Sequence, residues 1–313
     1  MQDVYDAIVI GGGPAGMTSA LYLLRSHLRV AQIEKLSGGG QLLLTERIDN
    51  YPGFPGGALG YELADSMAEQ VKEWESEDNF RRITDEVSAI ETGKELHRIK
   101  VGDEWITGRV VIICSGAEYR KLGLPGEAEF TGNGVSYCAL CDGNFFRDKV
   151  VAVIGGGNSA LEEALYLARL VDKLYLIHRR QDFRGAKCYQ DKCFVHPKMS
   201  VMRSTVVEAI NGDQGGVTSI STRNVESGEA RDIDVDGVFI FVGFQPLGTF
   251  IPEEMDRDER GFLKTDQEMR TNIPGVFAAG DIRSKMTRQV ATAVGDGAAA
   301  ASAAIAYLEQ HVS

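Results

Sequence analysis

The sequence predicts an α/β protein built from two doubly wound, Rossmann-like domains, and three observations carry that expectation. A strand, a glycine-rich turn and a helix follow one another at residues 7–24 and again at 150–168. The two copies keep a constant offset of 144 residues, from Gly11 to Gly155 and from Glu34 to His178. The chain has 313 residues, about two domains at roughly 150 residues each. With 43% hydrophobic and 25% charged residues, it is a packed chain and not a disordered one.

In the first copy the strand Ala7 to Ile10 runs into Gly11-Gly12-Gly13-Pro14-Ala15-Gly16, which fits G-x-G-x-x-G. The first glycine allows a tight turn, and the second lets the backbone approach a pyrophosphate. The third permits close helix–strand contact, and the N-terminus of the helix attracts phosphate. Pro14 suits a first helical turn, where its missing N–H is not needed. Ala15, Ala20, Leu21 and Leu24 form the apolar side of the helix. The next strand, Arg29 to Ile33, ends at Glu34, which is placed to accept from a ribose 2′-hydroxyl.

In the second copy the strand Val150 to Ile154 leads into Gly155-Gly156-Gly157-Asn158-Ser159-Ala160, a G-x-G-x-x-A turn. Its helix has Leu161, Ala164, Leu165 and Ala168 on the apolar side. The strand Lys173 to Ile177 then ends at His178-Arg179-Arg180. A carboxylate would repel a 2′-phosphate, whereas Arg179, Arg180 and Arg184 would bind one. The first site is therefore expected to take a dinucleotide with a free ribose, and the second to prefer NADPH over NADH. Two different sites suggest flavin at one and nicotinamide at the other, and spacing alone does not say which takes FAD.

Between the copies lies Cys138-Ala139-Leu140-Cys141-Asp142-Gly143. Two intervening residues let the sulfurs close a disulfide at a helix start, where the local field favours thiolate. Asp142 is placed to shuttle a proton to a departing thiolate. Zinc needs four ligands, and no second C-x-x-C stands nearby; no metal is expected. Cys188, Cys193 and His196 form a loose C-x4-C-x2-H group, left open between incidental residues and a surface redox pair.

Glycine is enriched, 36 residues against a usual share of roughly 7%. A net charge of −12 opposes bulk attraction to nucleic acid or an anionic membrane. The opening MQDVYDAIVIGGG has no basic region before its apolar run, and the apolar stretch Gly297 to Leu308 is too short to span a bilayer. Five cysteines, an odd number, point to a reducing cytoplasm.

With these motifs in order, the chain resembles the low-molecular-weight bacterial thioredoxin reductases. The match runs through GGGPAG at 11–16, GGQL at 39–42, NYPGFP at 50–55 and VIICSGAEYRKLGLPGE at 111–127. It continues through CALCDG at 138–143, GGGNSALEEALYLA at 155–168, HRRQDFRG at 178–185, GVFAAGD at 275–281 and RQVATAVGDGAAAA at 288–301. The resemblance implies an FAD domain split in sequence, residues 1–116 and 246–313, with an NADPH domain, residues 117–245, inserted. It implies FAD contacts at Gly11, Gly13, Pro14, Ala15, Gly16, Glu34, Lys35, Gly40, Gln41, Leu42, Asn50, Gly116, Gly280, Asp281, Arg288, Gln289 and Val290. NADPH contacts are implied at Gly155, Gly157, Asn158, Ser159, Ala160, His178, Arg179, Arg180 and Arg184.

The family mechanism would pass a hydride from NADPH to FAD, then two electrons to the Cys138–Cys141 disulfide. Cys141 would be the sulfur nearer the flavin, and Cys138 would attack oxidised thioredoxin. Asp142 would handle the proton. A rotation between domains, hinged near Gly116-Ala117 and Gly243-Phe244, and a homodimer are further implications.

The sequence departs from the family pattern in a few places. Cys114 stands where Ala is usual and is expected to be a small buried filler. Gly185 replaces the Ala of H-R-R-x-x-F-R-A, Leu247 replaces an Asn, and the stretch after Arg184 is atypical; these touch the grip on the nicotinamide cofactor. The same fold with another donor or acceptor (NADH, ferredoxin or a small-molecule dithiol with oxygen) is the main alternative. A non-enzymatic redox sensor is the alternative from another class.

Overall fold

The structure is a computed structural model and describes residues 4–36, 38–44, 47, 48 and 50–311. Ser37, inside one expected flavin-binding stretch, and Met1 to Asp3 at the start lie outside the described residues. The chain divides into two compact units, Met1–Glu118 with Gln245–Ser313, and Tyr119–Phe244.

The first unit is organised by the strand Val4–Ile10, which lies parallel between Val30–Glu34 and Glu104–Ile113. Phe80–Thr84 extends the parallel order beyond Val30–Glu34. Helix α1, Pro14–Arg25, follows the first strand, with Pro14 in its first turn. Helix α2 spans Gly60–Lys72. The long strand Glu104–Ile113 also pairs antiparallel with His97–Val101, which pairs with Val87–Glu91. Ile8, Ile33, Ile112 and Ile113 are fully buried, as expected where helices or strands cover both faces of a parallel sheet.

The second unit carries a five-stranded parallel sheet in the order Val135–Ser136, Gly237–Phe241, Val150–Gly155, Lys173–Ile177, Met199–Met202. Helix α3, Ala139–Asp142, is a single turn; α4 spans Asn158–Leu167 and α5 Lys187–Phe194. A separate antiparallel layer is formed by Thr205–Asp213, Gly216–Asn224 and Ala230–Asp234. This layer, and the antiparallel strands Val87–Glu91 and His97–Val101 at the edge of the first sheet, had no counterpart in the sequence reading. Each unit has its own apolar core, with Phe277 and Leu24 in one and Phe239 and Leu161 in the other.

The last quarter of the chain returns to the first unit. Val276–Ala278 pairs parallel with Val111, Ile112 and Ile113. Helix α6, Val290–His311, packs on α1. Here the sequence expectation needs correction, because the apolar segment does not stop at 297–308. The helix has 22 residues and is long and apolar enough to cross a membrane by length and composition. Its buried face is made mostly of small residues, Ala293, Gly297, Ala300, Ala301, Ala303 and Ala304, with Leu308 near its end. A Cβ at Gly297 would meet the Ala15 carbonyl oxygen at 2.4 Å, so glycine there lets the two helix backbones touch.

Candidate functional site

Both glycine turns deliver a helix whose N-terminus no side chain caps. Gly13 precedes α1 and Gly157 precedes α4, and neither helix has a side-chain N-cap hydrogen bond. Four N–H groups at such an end have no helical partner, so an uncapped end suits an anion. At Gly157 a Cβ would meet nothing within 4 Å, and at Gly13 only the Gly40 Cα at 3.9 Å, so both positions leave room for a ligand. Gly16 is tight: a Cβ there would lie 2.0 Å from the Gly11 carbonyl oxygen.

Around the first turn, the Glu34 carboxylate accepts from the Gly12 N–H at 2.6 Å and the Leu36 N–H at 3.1 Å. Gly39 N–H donates to the Gly12 carbonyl at 2.8 Å, which draws Gly40 against Gly13. Gln41 donates to the Ala117 carbonyl, one residue beyond Gly116, and Leu42 is buried. Lys35 is exposed and pairs with Glu86. Asn50 donates to the Gln289 side chain at 2.9 Å, joining residues far apart in sequence just ahead of Val290, where α6 starts.

Gly280 and Asp281 lie in a 3-10 turn, Gly280–Ile282, after the short strand. Asp281 Oδ1 is buried with no hydrogen-bond partner among the described residues; Lys285 stands 3.5 Å away as an ion pair. Burial raises the Asp281 pKa, against the pull of Lys285 and Arg288. Arg288 is held locally: its guanidinium donates to the carbonyls of Asp281, Arg283 and Lys285 and lies over the Phe262 ring. Asp296, bridged to Arg283 at 2.8 Å and Lys285 at 3.0 Å, completes a buried charge cluster that sequence reading missed.

At the second turn, the backbone N–H groups of Arg184 and Gly185 donate to the Gly156 carbonyl at 2.8 and 3.0 Å. Asn158 accepts from the Ala186 N–H. Ser159 opens α4, and Ala160 is buried beside Gly155. Arg179, Arg180 and Arg184 are exposed. His178, implied as a nicotinamide-cofactor contact, adds no charge to that group. Its ring is buried against Gly156, tilts over Phe183 and reaches the Asp182 carbonyl at 3.2 Å. Burial, with repulsion from Arg184, Arg180 and Arg179, lowers its pKa, so it is a neutral packing group at pH 7. The positive charge rests on the arginines alone.

The Gly185 departure also has a physical reason. A Cβ there would meet Leu161 Cδ1 at 2.4 Å, so the leucine fills the space an alanine methyl would take.

In the redox motif, Cys138 and Cys141 are joined as a disulfide. Cys138 caps α3, and its sulfur accepts from the Cys141 N–H at 3.2 Å. One helical turn has little macrodipole, so any stabilisation of thiolate comes from individual N–H groups. Ser136 donates to the Asp142 carboxylate at 2.6 Å and accepts from the Cys138 N–H at 3.1 Å. Sequence reading missed Ser136, although an S-x-C spacing ahead of the motif was a usable signal.

Cys188 and Cys193 are not a surface pair. Cys193 is buried with its thiol toward the Leu161 carbonyl, while Cys188 is exposed. Burial raises the Cys193 pKa to about 11. Cys114 is buried as expected of a filler, its pKa pushed up to about 12 chiefly by burial.

Residues 5–297 match the family model of pyridine nucleotide-disulphide oxidoreductases. The chain belongs to this family. It is 43% identical over 309 residues to a thioredoxin reductase of Listeria innocua, covering 99% of this chain and 95% of that protein. It is 42% identical to a thioredoxin reductase of Treponema pallidum, covering 99% of each chain. A solved thioredoxin reductase of Streptococcus pyogenes superposes with a TM-score of 0.92 at 43% identity, over 99% of this chain and 100% of that one. The family implies a flavin and a nicotinamide cofactor, and the two uncapped glycine turns are chemically suited to their phosphates.

Proposed function

We propose that this chain is a thioredoxin-disulfide reductase that uses FAD and NADPH, with the Cys138–Cys141 disulfide as the group passed between reduced and oxidised forms. The observation that carries the reading is the disulfide itself, flanked by Asp142 in the hydroxyl grip of Ser136. Bound flavin and nicotinamide together supply two-electron, hydride-level chemistry.

The flavin dinucleotide would be held by the Gly11–Gly16 turn, Glu34, Lys35, Gly40, Gln41, Leu42, Asn50, Gly116, Gly280, Asp281, Arg288, Gln289 and Val290. Glu34 would turn part of its carboxylate from the Gly12 N–H toward a ribose, and the unmatched Asp281 oxygen favours a ligand hydroxyl. NADPH would be held by Gly155, Gly157, Asn158, Ser159 and Ala160. Arg179, Arg180 and Arg184 would meet the 2′-phosphate, with His178 packing beneath them.

Two electrons and protons open the Cys138–Cys141 bond to a dithiol. The Cys141 N–H stabilises negative charge on the Cys138 sulfur, which favours Cys138 as the nucleophile toward thioredoxin. Asp142 holds the proton exchanged with the dithiol, and Ser136 fixes its carboxyl. Rotation at the two crossings between the units would let one dithiol serve both half-reactions. Gly116 at φ 78° and Gly243 at φ 111° occupy backbone that favours glycine. A homodimer, by resemblance, and a cytoplasmic location, from the odd count of five cysteines, belong to the same reading.

Anaerobic titration with NADPH, and separately NADH, followed by oxidised thioredoxin tests the reading. NADPH should bleach the flavin and thioredoxin restore it, while Cys138→Ser keeps the first step and loses the second. Failure of both nucleotides to bleach the flavin would overturn the NADPH assignment in favour of a ferredoxin-type donor. Unchanged turnover after a cross-link between the two units would reject the rotation.

A further inference from the structure

One buried carboxyl beside the redox turn has no role in the mechanism above. Glu163 lies on α4. Its Oε2 is buried without a hydrogen-bond partner among the described residues. The same helix packs against α3 and the turn after it: Ala139 is fully buried, and a Cβ on Gly143 would touch Leu167 at 3.0 Å and Tyr166 at 3.3 Å. Glu163 is one helical turn before those two residues and so on the same face of α4. The Ala139 N–H, in the first peptide after Cys138, is the one group that draws the carboxyl toward its charged form. Burial and Glu162 push the other way.

The neighbouring elements supply no cation to Glu163. On α3 the ionisable groups are Cys141 and Asp142, with Cys138 at its N-cap. On α5, Lys187 pairs with Asp191 at 3.0 Å, Lys192 is exposed to solvent, and Tyr189 interacts with Glu162. Lys173 lies over the Tyr175 ring on the strand Lys173–Ile177. The strands Val150–Gly155 and Gly237–Phe241 carry no ionisable side chain.

We propose that Glu163 is a positioning residue for the dithiol: its charge state is coupled to that of Cys138 and Cys141, and its neutral form leaves the N–H field of α3 to a cysteine thiolate. When the disulfide is reduced, the new thiolate and a Glu163 carboxylate would set two like charges on neighbouring N–H groups of one turn, Cys141 for the sulfur and Ala139 for the carboxyl. Ionisation of the sulfur therefore increases the share of Glu163 that is protonated, relative to the thiol and the disulfide. The inference rests on Cys138–Cys141 being the redox centre, as proposed above, but needs neither the nucleotide nor the partner to be identified.

The test is alkylation of the dithiothreitol-reduced flavoprotein by iodoacetamide, followed by mass spectrometry from pH 5.5 to 9, in the parent and Glu163→Gln. Below about pH 6 the two should react alike, because Glu163 is neutral in both. Above pH 7 the Gln variant should react faster, by about threefold or more, since like charge near a thiol raises its pKa. Superimposable profiles would overturn the proposal. If Glu163→Gln does not fold, reduced-minus-oxidised infrared spectra of the parent and Glu163→Asp serve instead. A protonated-carboxyl band that grows on reduction and shifts in the Asp variant supports the coupling, and a band unmoved by that substitution rejects it. Normal NADPH-dependent bleaching alongside superimposable alkylation profiles would sink this inference while leaving the reductase reading intact.

Discussion

Ser136 and Glu163 each reach the redox motif from outside it, and each gives a measurable effect. Replacing Ser136 with Ala removes the hydroxyl that holds Asp142 at 2.6 Å. Thioredoxin-linked turnover should fall by roughly tenfold, a part of what a positioned acid–base group contributes, while stopped-flow reduction of the flavin by NADPH is unchanged. Glu163 also affects stability. Burial and Glu162 raise its pKa from 4.5 to about 7. Between those values the native state keeps a proton that the unfolded chain has released, so stability falls as pH rises through this window. Glu163→Gln has no such slope; urea unfolding should show it gaining about 3 kcal/mol on the parent between pH 4.5 and 8. Parallel pH curves would contradict this. Ser136 left only the weak S-x-C spacing in the sequence, because it acts through Asp142, and Glu163 left none, because it meets Ala139 only once α4 has packed. Glu34, the arginines and the C-x-x-C-D were legible, because each follows a strand or glycine turn at fixed spacing.

At the scale of elements, two glycines of the same motif type should fail differently when changed. Gly16→Ala drives a methyl to 2.0 Å from the Gly11 carbonyl oxygen and must push α1 off its strand, costing about 3 kcal/mol by thermal unfolding. Gly157→Ala meets nothing within 4 Å, so its melting temperature should hold while the KM for NADPH rises about tenfold through lost phosphate approach. Equal destabilisation by both would contradict the separation of packing glycine from ligand glycine. The parallel strands were readable because each ends at a motif. The antiparallel strands Val87–Glu91 and His97–Val101 and those at 205–234 were not, since they are partly exposed and lack a continuous apolar run. A turn signal existed in Gly102-Asp103, where Gly102 has φ 54° and links two paired strands.

Over the whole molecule, separate cores predict separate responses to ligand. NADP+ at about a hundred times its Kd should add about 2.7 kcal/mol to the unit that binds it. Hydrogen exchange should then slow within residues 119–244, and NAD+ at the same concentration should protect less. Protection confined to the other unit would reverse the nucleotide assignment. The division into a split unit and a continuous one also orders events during synthesis. Residues 119–244 can complete their sheet from contiguous chain as they leave the ribosome. The other unit cannot: its strand Glu104–Ile113 must wait for Val276–Ala278, and α1 for α6. At about 5–20 residues per second, the gap is on the order of ten seconds. Throughout it, the strand edge and the apolar side of α1 lack their final cover. The nascent first segment is thus the stage at which this protein should most need a chaperone, and at which the proposed flavin site is still unfinished.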